Sequence, residues 1–151
     1  MPPLKTVIIA IGNPDHGDDG VGPAVAHLLQ KRNRTSALII DAGIVPENFL
    51  GPVISALPAR VLLIDACDFN GAPGDFRLFN RSELQHLTVR GFSTHTPPLN
   101  LLANFIYAET GAEIWLLGIM PGQTARPGLS PAVTAALPRL ASFIESWTET
   151  G

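Results

Sequence analysis

Val7-Ile8-Ile9-Ala10-Ile11, followed by a glycine-rich stretch from Gly12 to Gly22, is the part of the sequence that decides the fold. A short continuous run of apolar, mostly β-branched residues is typical of a strand that is buried on both faces. Beyond the turn, apolar residues recur at the spacing of one helix face: Val21, Ala24, Val25, Leu28 and Leu29. This order of buried strand, turn and amphipathic helix indicates an α/β protein.

The same alternation continues along the rest of the chain. Three further segments carry the buried-strand signal, 38–40, 61–64 and 114–117, and a more alternating edge strand is predicted at 76–79. Helices are predicted over 47–56, from Pro97 and Pro98 through about Tyr107, and from Pro131 onward after an N-cap at Ser130. Pro138 lies inside the last helix and should kink or split it.

Strands that alternate with helices predict a doubly wound, mostly parallel twisted sheet of about five strands, with helices on both faces. The apolar content of 46% is enough for one core, and residues 1–151 are expected to form a single domain. Sheets of this kind place their sites outside the carboxyl ends of the strands. Candidate residues can therefore be screened by position.

Composition argues against several classes of partner. The net charge of −3 and the lack of a basic patch argue against nucleic-acid binding. No apolar run is long enough to cross a bilayer, and no basic region with a cleavage site precedes the first strand. Cys67 is the only cysteine, which excludes an intrachain disulfide and fits a reducing compartment. We expect a cytoplasmic protein that does not insert into membranes.

Acidic residues follow the predicted strands: Asp18, Asp19, Asp41, Asp65 and Asp68. Their positions bring all of them to one edge of the sheet, and His95, in a loop before a helix, could fold over the same edge. Asp18 or Asp19 alone could be a helix N-cap, and polar residues often end strands. The convergence of three strand ends favours a functional site.

The first loop invites comparison with a nucleotide-binding loop, because it is glycine-rich and Asp41 follows about twenty residues later. Its glycines do not fit G-x-G-x-x-G, however, and carboxylates at the start of the helix would repel a phosphate. Two carboxylates and an imidazole suit a divalent cation such as zinc or nickel better. A second alternative is a nucleophilic pair of Cys67 and His95, although a lone cysteine is more often a small buried apolar residue.

Several motifs resemble, in order along the chain, those of the nickel–iron hydrogenase maturation endopeptidases. They are Gly12-Asn13 with Asp18-Asp19-Gly20-Val21-Gly22, then Asp41-Ala42-Gly43, Asp65-Ala66, Ser93-Thr94-His95 and Gly118-Ile119-Met120-Pro121. The stretches 41–48 and 95–99 resemble the branch that processes hydrogenases related to the formate hydrogenlyase enzyme. Ala10 and Ala42 stand where many members have glycine, and neither is a proposed ligand.

This resemblance implies an aspartate-type endopeptidase that removes a C-terminal peptide from the nickel-loaded precursor of a hydrogenase large subunit. Asp19, Asp65 and His95 match the family's metal-binding positions, and Asp19 and Asp65 are the expected catalytic residues. The nickel is expected to come with the substrate, and no organic cofactor is expected.

The resemblance leaves three questions open. Either a carboxylate activates water while the metal polarises the carbonyl, or the metal is only a positional check. A nickel sensor or chaperone without proteolysis would use the same ligands, and a hydrolase dependent on Cys67 is a further alternative. The roles of His16, Asp18, Asp41 and Asp68 are undecided, with His16 expected to be an exposed loop residue.

Overall fold

The backbone forms a five-stranded sheet whose strand order is β2-β1-β3-β5-β4. This computed structural model describes residues 5–87 and 98–150. The strands are β1 (Thr6–Ile11), β2 (Leu38–Gly43), β3 (Arg60–Ala66), β4 (Phe76–Asn80) and β5 (Glu113–Ile119). All neighbouring strands are parallel except β4, which pairs with β5 antiparallel at the edge. The predicted sheet, including its edge strand, is confirmed.

Helices cover both faces of this sheet. They are α1 (Val21–Arg32), α2 (Leu50–Ser55), α3 (Arg81–Leu87), α4 (Leu99–Thr110) and α5 (Pro131–Glu149), with 3-10 helices at Pro14–Gly20 and Pro46–Phe49. Helices α1 and α5 pack on one face, and α2, α3 and α4 pack on the other. No helix within the described ranges is long and apolar enough to span a membrane.

The two faces of the sheet belong to two separate apolar layers because side chains alternate along each strand. On β3, Leu62 and Ile64 face the α1 and α5 layer, whereas Val61 and Leu63 face the α4 layer. All residues of β1 and β3 are buried, as the apolar runs predicted. The central strands therefore hold the residues that follow them in fixed positions.

Strand β2 and helix α3 differ from the sequence prediction. The apolar run at 38–40 predicted a strand buried on both faces, but β2 is an edge strand in which Leu38 is 43% exposed. Helix α3 was not predicted, although its start carries a capping box: Asn80 N donates to Glu83 Oε1 at 3.0 Å, and Glu83 N donates to Asn80 Oδ1 at 2.8 Å. The N-x-x-E spacing was a signal that could have revealed it.

Helix α5 continues through Pro138, so of the two expected effects of this proline, a kink or a split, the split does not occur. Pro138 is exposed, which leaves the carbonyl that loses its intrahelical partner on the solvent side. Residues before and after it, including Ala136 and Leu140, are fully buried against the sheet. Packing of this face keeps the helix continuous across the proline.

Arg60 attaches the end of α5 to the amino edge of the sheet. Its guanidinium lies 4.1 Å from the centroid of the Trp147 ring. Arg60 Nη2 donates to Trp147 O at 3.2 Å, to Thr148 O at 3.4 Å and to Thr6 Oγ1 at 3.5 Å. A cation therefore meets the carbonyl end of the longest helix, at the edge opposite the strand carboxyl ends.

Candidate active site at the carboxyl edge of the sheet

The loop after β1 folds back over the strand because of Gly12. Its φ of 149° is in the region that favours glycine, and a Cβ at this position would lie 1.8 Å from Asp19 O. Gly12 N donates to Gly43 O at 2.9 Å, and Asn13 Oδ1 accepts from Asp15 N at 2.9 Å. These contacts place Asp19 next to the end of β1.

Asp19 and Asp65 are brought to one corner of the carboxyl edge. Strands β1 and β3 are adjacent and parallel, and Ala10 pairs with Ile64, the residue before Asp65. A Cβ at Gly22, at the start of α1, would lie 2.4 Å from Ile11 O and 2.9 Å from Ile64 O. The segment that carries Asp19 therefore ends directly against both strand ends.

Both carboxylates at this corner are buried, Asp19 at 6% exposure and Asp65 at 0%. Asp19 Oδ2 accepts from Asn13 N at 3.0 Å, and Asp65 Oδ1 accepts from Ala66 N at 2.8 Å. Alternation along β3 directs Asp65 to the face covered by α4. Asp65 belongs to β3, whereas Asp19 lies in the 3-10 segment that follows β1.

His95, the third predicted ligand, lies outside the described residues. Among residues 5–87 and 98–150, no group of three His, Cys, Asp or Glu side chains is arranged to hold a metal ion. Two oxygen ligands at one corner are compatible with a nickel or zinc site that a further ligand completes.

Asp18 has a different environment from its neighbour. It is fully buried, and its carboxylate accepts hydrogen bonds from Gly122 N at 2.7 Å, Gln123 N at 3.0 Å, Ser130 N at 2.7 Å and Ser130 Oγ at 2.7 Å. Burial raises the pKa of the Asp18 carboxyl, but the hydrogen bonds from Ser130, Gln123 and Gly122 outweigh it, and the pKa lies below its usual value. Asp18 therefore joins two loops as an ionised carboxylate.

Two other acids, Asp41 and Asp68, have environments that differ from those of Asp19 and Asp65. Asp41 is exposed, and because its neighbours Ile40 and Ala42 pack in the α4 layer, its side chain points to the opposite face from Asp65. Asp41 therefore lies at the expected edge of the sheet, but on the face opposite Asp65. Asp68 Oδ1 accepts from Asn70 N at 2.9 Å and so shapes a turn.

His16 is exposed on the first loop, as expected. The two glycines that flank it in the motif, Gly12 and Gly20, are buried. The buried side of this loop is thus its inner surface, where Asp19 lies.

Cys67 is buried beside these acids and is a poor nucleophile. Burial, with smaller contributions from the charges of Asp65 and Asp68, raises the pKa of the Cys67 thiol to about 12. A Cβ at Gly118 would lie 3.0 Å from Cys67 Cβ, so the thiol fills space left by a glycine. Because the thiolate is the reactive form, this environment favours a structural cysteine.

The fold and the site define a doubly wound α/β protein with two buried carboxylates at the carboxyl edge of adjacent strands. Comparison with known proteins then gives the family. The chain belongs to the hydrogenase maturation protease family, which matches residues 23–147. The family and the class of activity predicted from the sequence, a peptide hydrolase of hydrogenase maturation, are confirmed.

Individual relatives agree with this assignment. The chain is similar to the hydrogenase 3 maturation protease of Escherichia coli strain K12, with 32% identity over 118 residues, 78% of this chain and 74% of the relative. It is also similar to the crystal structure of the nickel–iron hydrogenase maturation protease HycI from Thermococcus kodakarensis KOD1. There the TM-score is 0.82 and the identity 30%, covering 98% of this chain and 94% of the other.

A more distant likeness shows the fold alone. The hydrogenase maturating endopeptidase HybD from E. coli has a TM-score of 0.78 at 19% identity, over 93% of this chain and 90% of the other.

Proposed function

We propose that this protein removes a C-terminal peptide from the precursor of a nickel–iron hydrogenase large subunit once that precursor carries nickel. In this proposal Asp19 and Asp65 are the catalytic carboxylates, and Asp19, Asp65 and His95 bind the nickel that the substrate brings. The supporting observation is that Asp19 and Asp65, both buried, lie at the carboxyl ends of the adjacent parallel strands β1 and β3, Asp65 in β3 itself and Asp19 in the segment that follows β1, in a protein of a protease family.

Peptide hydrolysis requires a proton acceptor for the attacking water. A carboxylate at hydrogen-bonding distance takes a proton as the water oxygen attacks the scissile carbonyl carbon. The carbon–nitrogen bond then breaks, and the same proton is delivered to the leaving amine. Asp19 and Asp65 are the groups proposed for this exchange, and nickel in the substrate would polarise the carbonyl.

The proposed ligand set accounts for nickel arriving with the precursor. Three protein ligands leave a coordination position open, whereas a structural site usually closes with four. Ligands on separate segments also lose conformational entropy when they converge on an ion, which weakens binding of free metal. We place the reaction in the cytoplasm, where the free thiol of Cys67 stays reduced.

The test is incubation of the purified protein with a nickel-loaded large-subunit precursor, followed by intact mass measurement. Wild-type protein should shorten the precursor by one C-terminal peptide, and Asp65→Asn should not. Asp41→Asn is the matched control, because Asp41 is a strand-end acid on the opposite face of the sheet. If the wild-type protein leaves the precursor mass unchanged, a nickel-binding protein without proteolytic activity would explain the site better.

A further inference from the structure

A set of hydrogen bonds around Asp18 links the first loop to a distant part of the chain. Four donors surround its carboxylate, and all lie 104 to 112 residues further along the chain. Asp18 N also donates to Gln123 O at 2.8 Å. One residue of the first loop is therefore bound, through backbone and side chain, to the segment between β5 and α5.

The two loops approach each other very closely at this point. Gly17 has a φ of 59°, and a Cβ there would lie 2.5 Å from Gln123 O. Gln123 in turn supports its own loop, because its Nε2 donates to Gly128 O at 2.9 Å and its Oε1 accepts from Arg126 N at 2.9 Å. The partner of Asp18 is thus a loop with internal hydrogen bonds of its own.

The Ser130 side chain forms a hydrogen bond with Asp18 and does not cap its own helix. It occupies the N-cap position of α5, yet its side chain makes no capping hydrogen bond to that helix. Ser130 Oγ donates to Asp18 Oδ2 instead, and Ser130 N donates to Asp18 Oδ1, each at 2.7 Å. The negative charge of Asp18 then lies at the N-terminus of α5, where the helix dipole favours it.

The consequence of this arrangement concerns Asp19, the next residue. Asp65 is held by the sheet, but Asp19 lies in a 3-10 segment whose helical geometry is interrupted at His16 and Gly17. Asn13 N contacts Asp19 on one side, and Asp18 fixes the chain on the other. The separation between the two proposed catalytic carboxylates therefore depends on the hydrogen bonds of Asp18.

We infer that Asp18 is a positioning residue, which sets the place of Asp19 through its hydrogen bonds to Gly122, Gln123 and Ser130. The inference rests on the proposed function, because it requires Asp19 to act on the substrate. A misplacement of about 1 Å at a reacting group can lower a rate about 100-fold. The expected defect is in kcat, since docking of the precursor does not use the buried Asp18.

Two pairs of variants test this role on nickel-loaded precursor. Asp18→Asn keeps size but turns one acceptor oxygen into a donor, and kcat should fall about 100-fold with KM changed less than about twofold. Ser130→Ala removes one hydrogen bond and should lower kcat about tenfold, while Ser130→Thr keeps the hydroxyl and should restore it. Asp15→Asn, on the exposed side of the same segment, is the control with unchanged kcat.

Asp19→Asn separates the two proposals. If Asp19→Asn cleaves at the wild-type rate, the proposed site is wrong and the positioning role falls with it. If Asp19→Asn is inactive but folded Asp18→Asn and Ser130→Ala keep wild-type kcat, only the positioning role is overturned. A defect confined to KM also overturns it. If Asp18→Asn does not fold, equal kcat values for Ser130→Ala and Ser130→Thr overturn it.

Discussion

Replacing Arg60 with methionine tests how the end of α5 is attached to the sheet. Arg60 is 6% exposed, and its guanidinium lies over Trp147 while it donates to the carbonyls of Trp147 and Thr148. Arg60→Met keeps much of the apolar side-chain volume and removes the charge and the donors. The variant therefore isolates the contribution of the guanidinium from that of packing.

The expected loss follows from the contacts. The cation–π contact contributes about 1 kcal/mol, and each of the two hydrogen bonds to the α5 carbonyls contributes about 1.5 kcal/mol. The contact with Thr6 Oγ1, at 3.5 Å, is at the limit of a hydrogen bond and adds little. Against this, Arg60 Nε is buried with no hydrogen-bond partner among the described residues, which costs about 2 kcal/mol. The net loss on Arg60→Met is about 2 kcal/mol, which lowers the Tm of a domain of this size by about 4–8 °C.

Urea denaturation followed by circular dichroism measures this loss, and the midpoint should fall while the m-value is unchanged. Arg139→Met is the matched control, because Arg139 is exposed on the same helix and its loss should stay within about 0.5 kcal/mol. Precursor cleavage at a temperature where both variants are folded should be normal, since Arg60 and Asp65 are about 17 Å apart along β3. Equal stabilities of the two variants would refute the reasoning, because the free-energy cost of burying the guanidinium would then cancel the free energy gained from its interactions.

Three other predictions concern the active site. Cys67→Ala should retain near-normal cleavage. Iodoacetamide should react far more slowly with Cys67 in the native protein than in urea, because burial raises the pKa of the thiol to about 12. If a folded Cys67→Ala variant is inactive, the hydrolase dependent on Cys67 becomes the better interpretation. Cleavage should be abolished, without unfolding, in each of three variants: Asp19→Asn, Asp65→Asn and His95→Ala. The control Asp41→Asn should cleave normally. Full cleavage by any two of the first three variants would contradict the assignment. The purified protein should be largely free of metal by elemental analysis and should cut only nickel-loaded precursor. Stoichiometric metal in the purified protein, together with equal cutting of nickel-free and nickel-loaded precursor, would instead indicate an ordinary metalloprotease.

Much of the fold is readable from the sequence because its signals are local. The apolar runs of β1 and β3 needed no tertiary information, since a strand buried on both faces must be apolar throughout. The capping box at Asn80 is an equally local signal. The positions of Asp19 and Asp65 also follow from the sequence, because residues after parallel strands share one edge of the sheet.

Other properties depend on strand order and on contacts between distant residues, and only the tertiary structure decided them. Strand β2 has the same apolar signal as β3, but its place at the edge of the sheet exposes Leu38. Asp41 shares the edge with Asp65 and points to the other face, because the pleat of its own strand determines its direction. Asp18 and Asp19 are adjacent acids, and the resemblance assigns a role to Asp19 but leaves that of Asp18 undecided. Their environments differ because the donors that surround Asp18 lie more than a hundred residues away along the chain and reach it only when β5 and α5 are in place.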